Sequence, residues 1–345
     1  LDTRIYKVNE LSSFEVKEDI MTAFSTGKNV VFPTETVYGI GANALDEEGI
    51  KGIYEVKGRP SDNPLIMHVS KLEDVFLYTK NHKAYVKDMM EHFWPGPLTM
   101  VFEKNDKVPS LITGGLDTVG IRIPGSEVAR KIIEIAGVPV CAPSANISGR
   151  PSSTLFEHVY EDFYGEVDII IDGGKTEVGL ESTVVDVTGD VPIVLRPGMI
   201  TAEMIKHVVG DVLVKSDVND QEVPLSPGMK YKHYAPYGDM VLVDGTKDKV
   251  VEFINGQVAQ DMLMGYKCAV LTTEEIKGSF QNVQVFSLGS IERDEEIASN
   301  LFILLRKMDQ LHIDKIYSVM LQGGRNEEAI MNRLLKAAGG RVVKV

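Results

Sequence analysis

Two cysteines in 345 residues, Cys141 and Cys268, are too few and too far apart for a disulfide framework, and no further Cys or His stands beside either at zinc-ligand spacing. Both are read as buried thiols. No stretch approaches the ~18 uninterrupted apolar residues that a membrane-spanning helix needs, and residues 1–10 mix charges where a secretory leader would carry an apolar core. The expected location is the cytoplasm. Positive charge is also scarce: 36 Lys and Arg against 50 Asp and Glu leave a formal net charge of -14. That deficit removes the broad basic face needed to grip nucleic acid or an anionic membrane, but it leaves room for a few cations converging on a small anion.

What is present is ordinary globular composition, 43% hydrophobic and 25% charged, which argues against a disordered or fibrous chain. At ~100 to 200 residues per domain, the length points to two domains. From Asn29 to Val209 short apolar runs alternate with amphipathic stretches. Strands are predicted at Asn29 to Phe32, Leu65 to Val69, Leu98 to Phe102, Val119 to Ile123, Val138 to Cys141, Val167 to Ile171, Thr183 to Val187 and Pro192 to Leu195. Helices are predicted near Asp46 to Val56, Leu72 to Thr79, Tyr85 to Phe93, Glu127 to Ile135 and Ser153 to Phe163, the second with a capping box of Ser70 and Glu73. Helical crossovers favour parallel pairs, whereas the short turn at Gly189 demands an antiparallel one, so the fold class is α/β with a mixed sheet in a domain spanning 1–214.

Residues 215–239 carry acids, prolines and Gly228 without an apolar period and are read as a linker, a length usually functional or disordered. Beyond it, strands at Met240 to Val243, Ala269 to Leu271, Val283 to Leu288 and Ile316 to Met320, with helices at Glu292 to Leu311 and Asn326 to Ala338, describe a smaller open α/β domain over 240–345. Ile297, Leu301, Leu304, Met308 and Leu311 mark an apolar face on the longer helix, and Gly339 and Gly340 close the last one.

Two glycine-rich strings suggest nucleotide binding and fail on context. Gly39, Gly41 and Ala44 match a dinucleotide fingerprint, yet Asn43 to Leu45 intervene before Asp46 caps the next helix, so these glycines are read as tight-turn residues. Gly173, Gly174, Lys175 and Thr176 resemble the end of a phosphate-binding loop, but position 169 is Ile and a β-branched run follows where the helix should start. A surface turn is expected there.

The chemistry lies elsewhere. Pro33 to Gly39 puts Thr34, Glu35 and Thr36 at the end of an apolar strand. Lys57, Gly58, Arg59, Pro60, Ser61, Asp62, Asn63 and Pro64 form a cationic loop suited to phosphate oxygens, read as exposed, so that removing either cation leaves the fold intact. Thr118 and Arg122 share a strand face, and Pro143 to Ser148, Glu181 to Thr183 and Arg196 to Gly198 bring hydroxyls, amides and a further cation to strand ends. His68 stands between apolar neighbours. No Ser-His-Asp pattern and no His/Cys metal cluster accompanies them, so the equipment is that of electrostatic and positional catalysis at phosphorus. The residues alone lead to a nucleotide or phosphate site and leave the reaction open.

The strings Pro33 to Gly39, Lys57 to Pro64, Pro143 to Ser148 and Glu181 to Asp186 resemble the YrdC family, and Ser226 to Pro236 resembles its long, two-domain members. The resemblance spans essentially the whole chain. It implies a YrdC-like N-terminal domain with a twisted mixed sheet and flanking helices, a Rossmann-like C-terminal domain, and a nucleotidyltransferase that makes threonylcarbamoyl-AMP from L-threonine, bicarbonate or CO2, and ATP with release of pyrophosphate. That reaction opens the route to threonylcarbamoyl-adenosine in tRNA, so downstream transferase machinery is an implied partner. By the same resemblance Lys57, Arg59, Asn63, Thr118, Ser144, Ser152 and Arg196 contact ATP, with Lys57 and Arg59 acting in catalysis. Thr36, His68, Arg122, Ala142 and Ser182 hold threonine. Mg²⁺ is expected on the ATP phosphates without a protein-built cage, and Lys230, Tyr231, Lys232, His233 and Tyr234 are expected to serve as a lid on an unstructured tether. The alternatives are a tRNA or double-stranded RNA binding module, and a carbamoyl transferase acting on another small molecule.

Overall fold

The computed structural model describes residues 1–215 and 233–345. The chain divides into two compact units: Leu1–Ser148, Ser153–Glu177 and Glu181–Tyr231 form the first, and Gly149–Ser152, Val178–Leu180 and Lys232–Val345 the second. Two short loops of the N-terminal half thus group with the second unit.

The first unit is built on one mixed sheet of twelve strands. In spatial order these are Arg4–Lys7, Ile169–Asp172, Val30–Pro33, Tyr38–Asn43, Val140–Cys141, Ile66–His68, Thr118–Arg122, Leu98–Lys104, Thr183–Asp186, Ile193–Arg196 and Leu213–Val214, with Thr79–Lys80 paired to Leu98–Lys104. Alternation along the strands feeds two cores. Val30, Phe32, Ile169 and Ile171 pack on one face with Phe24 and Ile132, while Val31 and Ile170 turn to the other with Met67 and Ile121. The eight predicted strands are all present. Arg4–Lys7, Tyr38–Asn43 and the helices Phe14–Ser25 and Ala202–Val209 are additional.

Two local readings are corrected. Gly39 and Gly41 lie within the strand Tyr38–Asn43, where Gly41 faces Val30 across an antiparallel pair. A Cβ on Gly41 would stand 2.7 Å from Phe32 and 2.8 Å from Val140, so glycine here admits large side chains of neighbouring strands rather than turning the chain. The Ser70–Glu73 capping box does not form. The helix is a single turn, Leu72–Val75, whose N-cap is Lys71 without a side-chain bond, which places Ser70 one residue too early. Asp46 does cap the next helix, Glu47–Lys57, accepting from the Glu48 N–H at 3.2 Å.

The second unit holds five parallel strands in the order Gln284–Ser287, Cys268–Thr272, Lys315–Val319, Asp239–Asp244, Val342–Lys344. Its helices are Lys247–Leu263, Asp294–Gln310 and Glu327–Ala337. On Asp294–Gln310 the residues Ile297, Leu301 and Met308 are buried as expected, whereas Leu305 rather than Leu304 completes the buried face.

Candidate active site

Strand register sets out one rim of the first unit. His68 and Arg122 end two parallel neighbours and stand opposite each other. Antiparallel to Thr118–Arg122 runs Leu98–Lys104, and Thr183 pairs with Leu98, so Ser182 arrives at the same rim. Arg196, opposite Val184, comes to that rim from the next strand.

Arg122 is held on three sides. Its Nη2 donates to Glu35 Oε1 at 2.5 Å, Nη1 to Thr36 Oγ1 at 3.0 Å and Nε to the Gly96 carbonyl at 3.3 Å. Glu35 in turn accepts from the Gly125 N–H at 2.8 Å and the Ser126 N–H at 3.1 Å, at the start of the helix Glu127–Ala136. Burial by itself would raise the Glu35 carboxyl, but the adjacent Arg122 charge and the Gly125 N–H hold it below the ordinary carboxylate range. The Thr34 hydroxyl donates to the Val37 carbonyl at 2.7 Å, so Thr36, 2.8 Å away, donates to Thr34 and accepts from Arg122. Ser182 Oγ lies 2.8 Å from Thr99 Oγ1, and Arg196 donates to the Ser182 carbonyl through Nε at 3.1 Å and Nη2 at 2.8 Å.

His68 differs from these hydroxyls. It is 3% exposed, and its Nδ1 has no hydrogen-bond partner. Burial first, and the Arg122 charge second, push its pKa down to about 3, so the imidazole is neutral. An unfolded histidine titrates near ~6.5, so below that pH the unfolded chain holds the extra proton and stability falls by up to about 1.4 kcal/mol per pH unit from this group. The loss continues down to the folded value of about 3. Denaturant midpoints of wild type and His68→Gln between pH 7 and 5 check this. The slope should be shallower in the variant, and equal slopes would contradict a buried neutral imidazole.

A second group gathers on the loop after Glu47–Lys57. Gly58, with φ of 59°, closes that helix in the left-handed region, leaving Lys57 as its last residue and Arg59 beyond it. Lys57 Nζ donates to the Ser144 carbonyl at 2.6 Å and to the Asn146 carbonyl, and Ser144 Oγ donates to Asn146 Oδ1 at 2.6 Å. Arg59 Nη2 donates to the Pro64 carbonyl at 3.1 Å and Nε to that of Asn63 at 3.4 Å. Asn63 Oδ1 is buried without a partner, an acceptor left for something else. The expectation of an exposed cationic loop is corrected here: Lys57 is 2% and Arg59 9% exposed. Both order backbone carbonyls, so their removal affects the fold as well as the chemistry.

Thr118, half-buried, shares a narrow cavity with Pro64, Thr99 and Val184, which links the loop group to the Thr99–Ser182 pair. Ala142 is buried and donates its N–H to the Ile66 carbonyl at 3.0 Å, and a Cβ on Gly39 would approach it to 3.3 Å. Ser152 is buried and belongs to the second unit. Lys230, Tyr231 and Lys232 lie outside the described residues. Tyr234 is no tether residue: it is 3% exposed and packs 5.0 Å from the Phe302 ring, with His233 half-buried beside it. Among the described residues no group of three or more His, Cys, Asp or Glu is arranged to hold a metal ion.

Glu35 and Thr99 are not among the substrate contacts that the resemblance implies. Glu35 carried a signal, a carboxylate between two threonines at a strand end, whereas Thr99 inside an apolar strand carried none.

Comparison with known proteins bears on both units. The family model Sua5_yciO_yrdC, described as "Telomere recombination", matches residues 22–198, and Sua5_C, described as "Threonylcarbamoyl-AMP synthase, C-terminal domain", matches residues 200–339. A threonylcarbamoyl-AMP synthase of Pyrococcus abyssi is 47% identical over 92% of this chain and 93% of its own length, and one of Bacillus subtilis is 43% identical over 91% and 90%. The crystal structure of P. abyssi Sua5 complexed with L-threonine superposes with a TM-score of 0.92 at 43% identity, covering 99% of this chain and all of that one.

Proposed function

The chain belongs to the Sua5/YciO/YrdC family and is a threonylcarbamoyl-AMP synthase, and from that premise we propose which of its own residues carry each part of the reaction. The amine of L-threonine and CO2, supplied as such or as bicarbonate, give a carbamate with loss of a proton. A carbamate oxygen attacks the α-phosphorus of ATP, forming the C–O–P bond of threonylcarbamoyl-AMP as the bond to the β-phosphate oxygen breaks and pyrophosphate leaves. Two anions must be held against each other while charge moves onto the leaving group.

Arg122 takes the threonine carboxylate. Lys57, Arg59, Asn63, Thr118 and Ser144 receive ATP, with Mg²⁺ as the counter-ion of the nucleotide. The observation that supports this division is Arg196, whose guanidinium donates to the Ser182 carbonyl at 2.8 Å and so brings a cation to the threonine rim. We assign Arg196 to the charge that develops where carbamate and α-phosphate meet. The enzyme acts in the cytoplasm, and its labile mixed anhydride passes to a tRNA-modifying transferase. An RNA-binding module and a transferase to another acceptor are not favoured, since relatives covering nine-tenths of the chain are synthases. Pyrophosphate release should fall to background when threonine or bicarbonate is omitted, and release at an undiminished rate without threonine would reject the assignment.

Amino-acid choice follows from the hydrogen bonds. The hydroxyls of Thr36 and Ser182 are engaged, while His68 Nδ1 is buried without a hydrogen-bond partner. We assign it to the threonine hydroxyl. Serine lacks only a methyl and should lose roughly 10- to 200-fold in kcat/KM, whereas valine leaves the imidazole unpaired and should lose more. Valine outperforming serine in kcat/KM for pyrophosphate release would remove His68 from that role.

A further inference from the structure

We infer that Glu35, which contacts neither substrate in the scheme above, is the positioning residue that sets the affinity for threonine by fixing the guanidinium of Arg122. The inference rests on the assignment of Arg122 to the threonine carboxylate. A long arginine side chain has many rotamers, and ordering it before substrate arrives removes an entropic penalty from binding. Here the ordering is complete. Gly96, Thr36 and Glu35 use three of the five guanidinium N–H groups, one on each nitrogen, leaving one hydrogen on each terminal nitrogen for an incoming carboxylate.

Glu35 is itself over-determined. Its two oxygens accept from Arg122 Nη2 and the Gly125 and Ser126 N–H groups, so the carboxylate sits at the positive end of the helix Glu127–Ala136. A Cβ on Gly125 would come within 3.2 Å of the Glu35 carboxylate, so the turn is shaped around it. The carboxylate thereby ties three things together: the turn carrying Thr34 and Thr36, the start of that helix, and the end of the strand bearing Arg122. It also offsets the arginine charge only in part, since its own negative charge is shared with two backbone dipoles. Arg122 therefore keeps attraction for a second carboxylate.

The test is steady-state pyrophosphate release by Glu35→Gln and Glu35→Asp, with ATP affinity measured separately by titration and thermal midpoints recorded for both. Gln keeps the size but loses the charge, and Asp keeps the charge but is one methylene too short to reach Arg122 and both N–H groups. E35Q should raise KM for threonine about 10- to 100-fold with kcat within about 3-fold and ATP affinity within about 2-fold, and E35D should lie between. Loss of the buried ion pair lowers the thermal midpoint in either case, whereas a purely structural role would also lower kcat and ATP affinity. If E35Q does not fold, E35D supplies the same split. In combination, E35Q/R122K should be no worse than R122K by more than about 2-fold, because the two residues act as one unit. If R122K raises the threonine KM while E35Q and E35D leave it at the wild-type value, the inference about Glu35 is overturned and the reading of Arg122 stands. If R122K itself leaves the threonine KM unchanged, the reading of Arg122 is overturned instead, and Glu35 loses this role with it.

Discussion

Lys57→Met is expected to lower kcat/KM for ATP by about 10²- to 10³-fold, the scale on which one preorganised charge at a phosphoryl centre acts. Methionine preserves length and removes both the charge and the three N–H donors. It also destabilises the chain by about 1–3 kcal/mol, because the Ser144 and Asn146 carbonyls lose the ammonium that now joins them. The two effects separate. Denaturant midpoints measure the second, and pyrophosphate release from the folded fraction measures the first. A folded variant with turnover within about 3-fold of wild type would mean that Lys57 organises its loop and does nothing at phosphorus.

Arg122→Ala should be the most damaging change at the threonine rim. Removing one member of a buried ion pair typically costs about 3–5 kcal/mol, since the other charge stays behind without its partner. Glu35 retains the Gly125 and Ser126 N–H groups, which puts the expected loss toward the lower end of that range. Threonine-dependent turnover should be lost while ATP still binds. Adding Glu35→Gln to Arg122→Ala should return part of the lost stability without returning activity, because it removes the stranded charge and not the missing carboxylate ligand. Equal midpoints for wild type and Arg122→Ala would show that the pair contributes nothing net.

The elements most legible in the sequence were those with one clear period. The run Val167 to Ile171 and the alternating faces around Arg122 emerged within a residue or two, as did the capped helix after Asp46. Tyr38–Asn43 was harder, since Gly39 and Gly41 are turn residues by local preference and serve here as clearance for Phe32 and Val140, which arrive from strands a hairpin and a hundred residues away. Phe14–Ser25 buries Val16, Ile20, Ala23 and Phe24, a helical spacing diluted by exposed Phe14 and Met21. In the site, charge and hydroxyl content pointed to Lys57, Arg59, Arg122 and Arg196. Burial did not show, because a lysine at the end of a helix looks the same in sequence whether its ammonium meets water or two carbonyls. The Thr99–Ser182 bond spans 83 positions, and the Glu35–Arg122 pair spans 87, so both depend on strand order rather than on any local string.

The most direct measurement is mass spectrometry of the nucleotide product formed from ATP, L-threonine and ¹³C-bicarbonate, with pyrophosphate counted in the same reaction. One ¹³C per threonylcarbamoyl-AMP and one pyrophosphate per product are expected for wild type, with product lost in Lys57→Met and in Arg122→Lys at threonine concentrations that saturate wild type. Pyrophosphate released without a labelled adenylate, or a labelled adenylate formed at the wild-type rate by both variants, would contradict a site in which these residues hold the two substrates together.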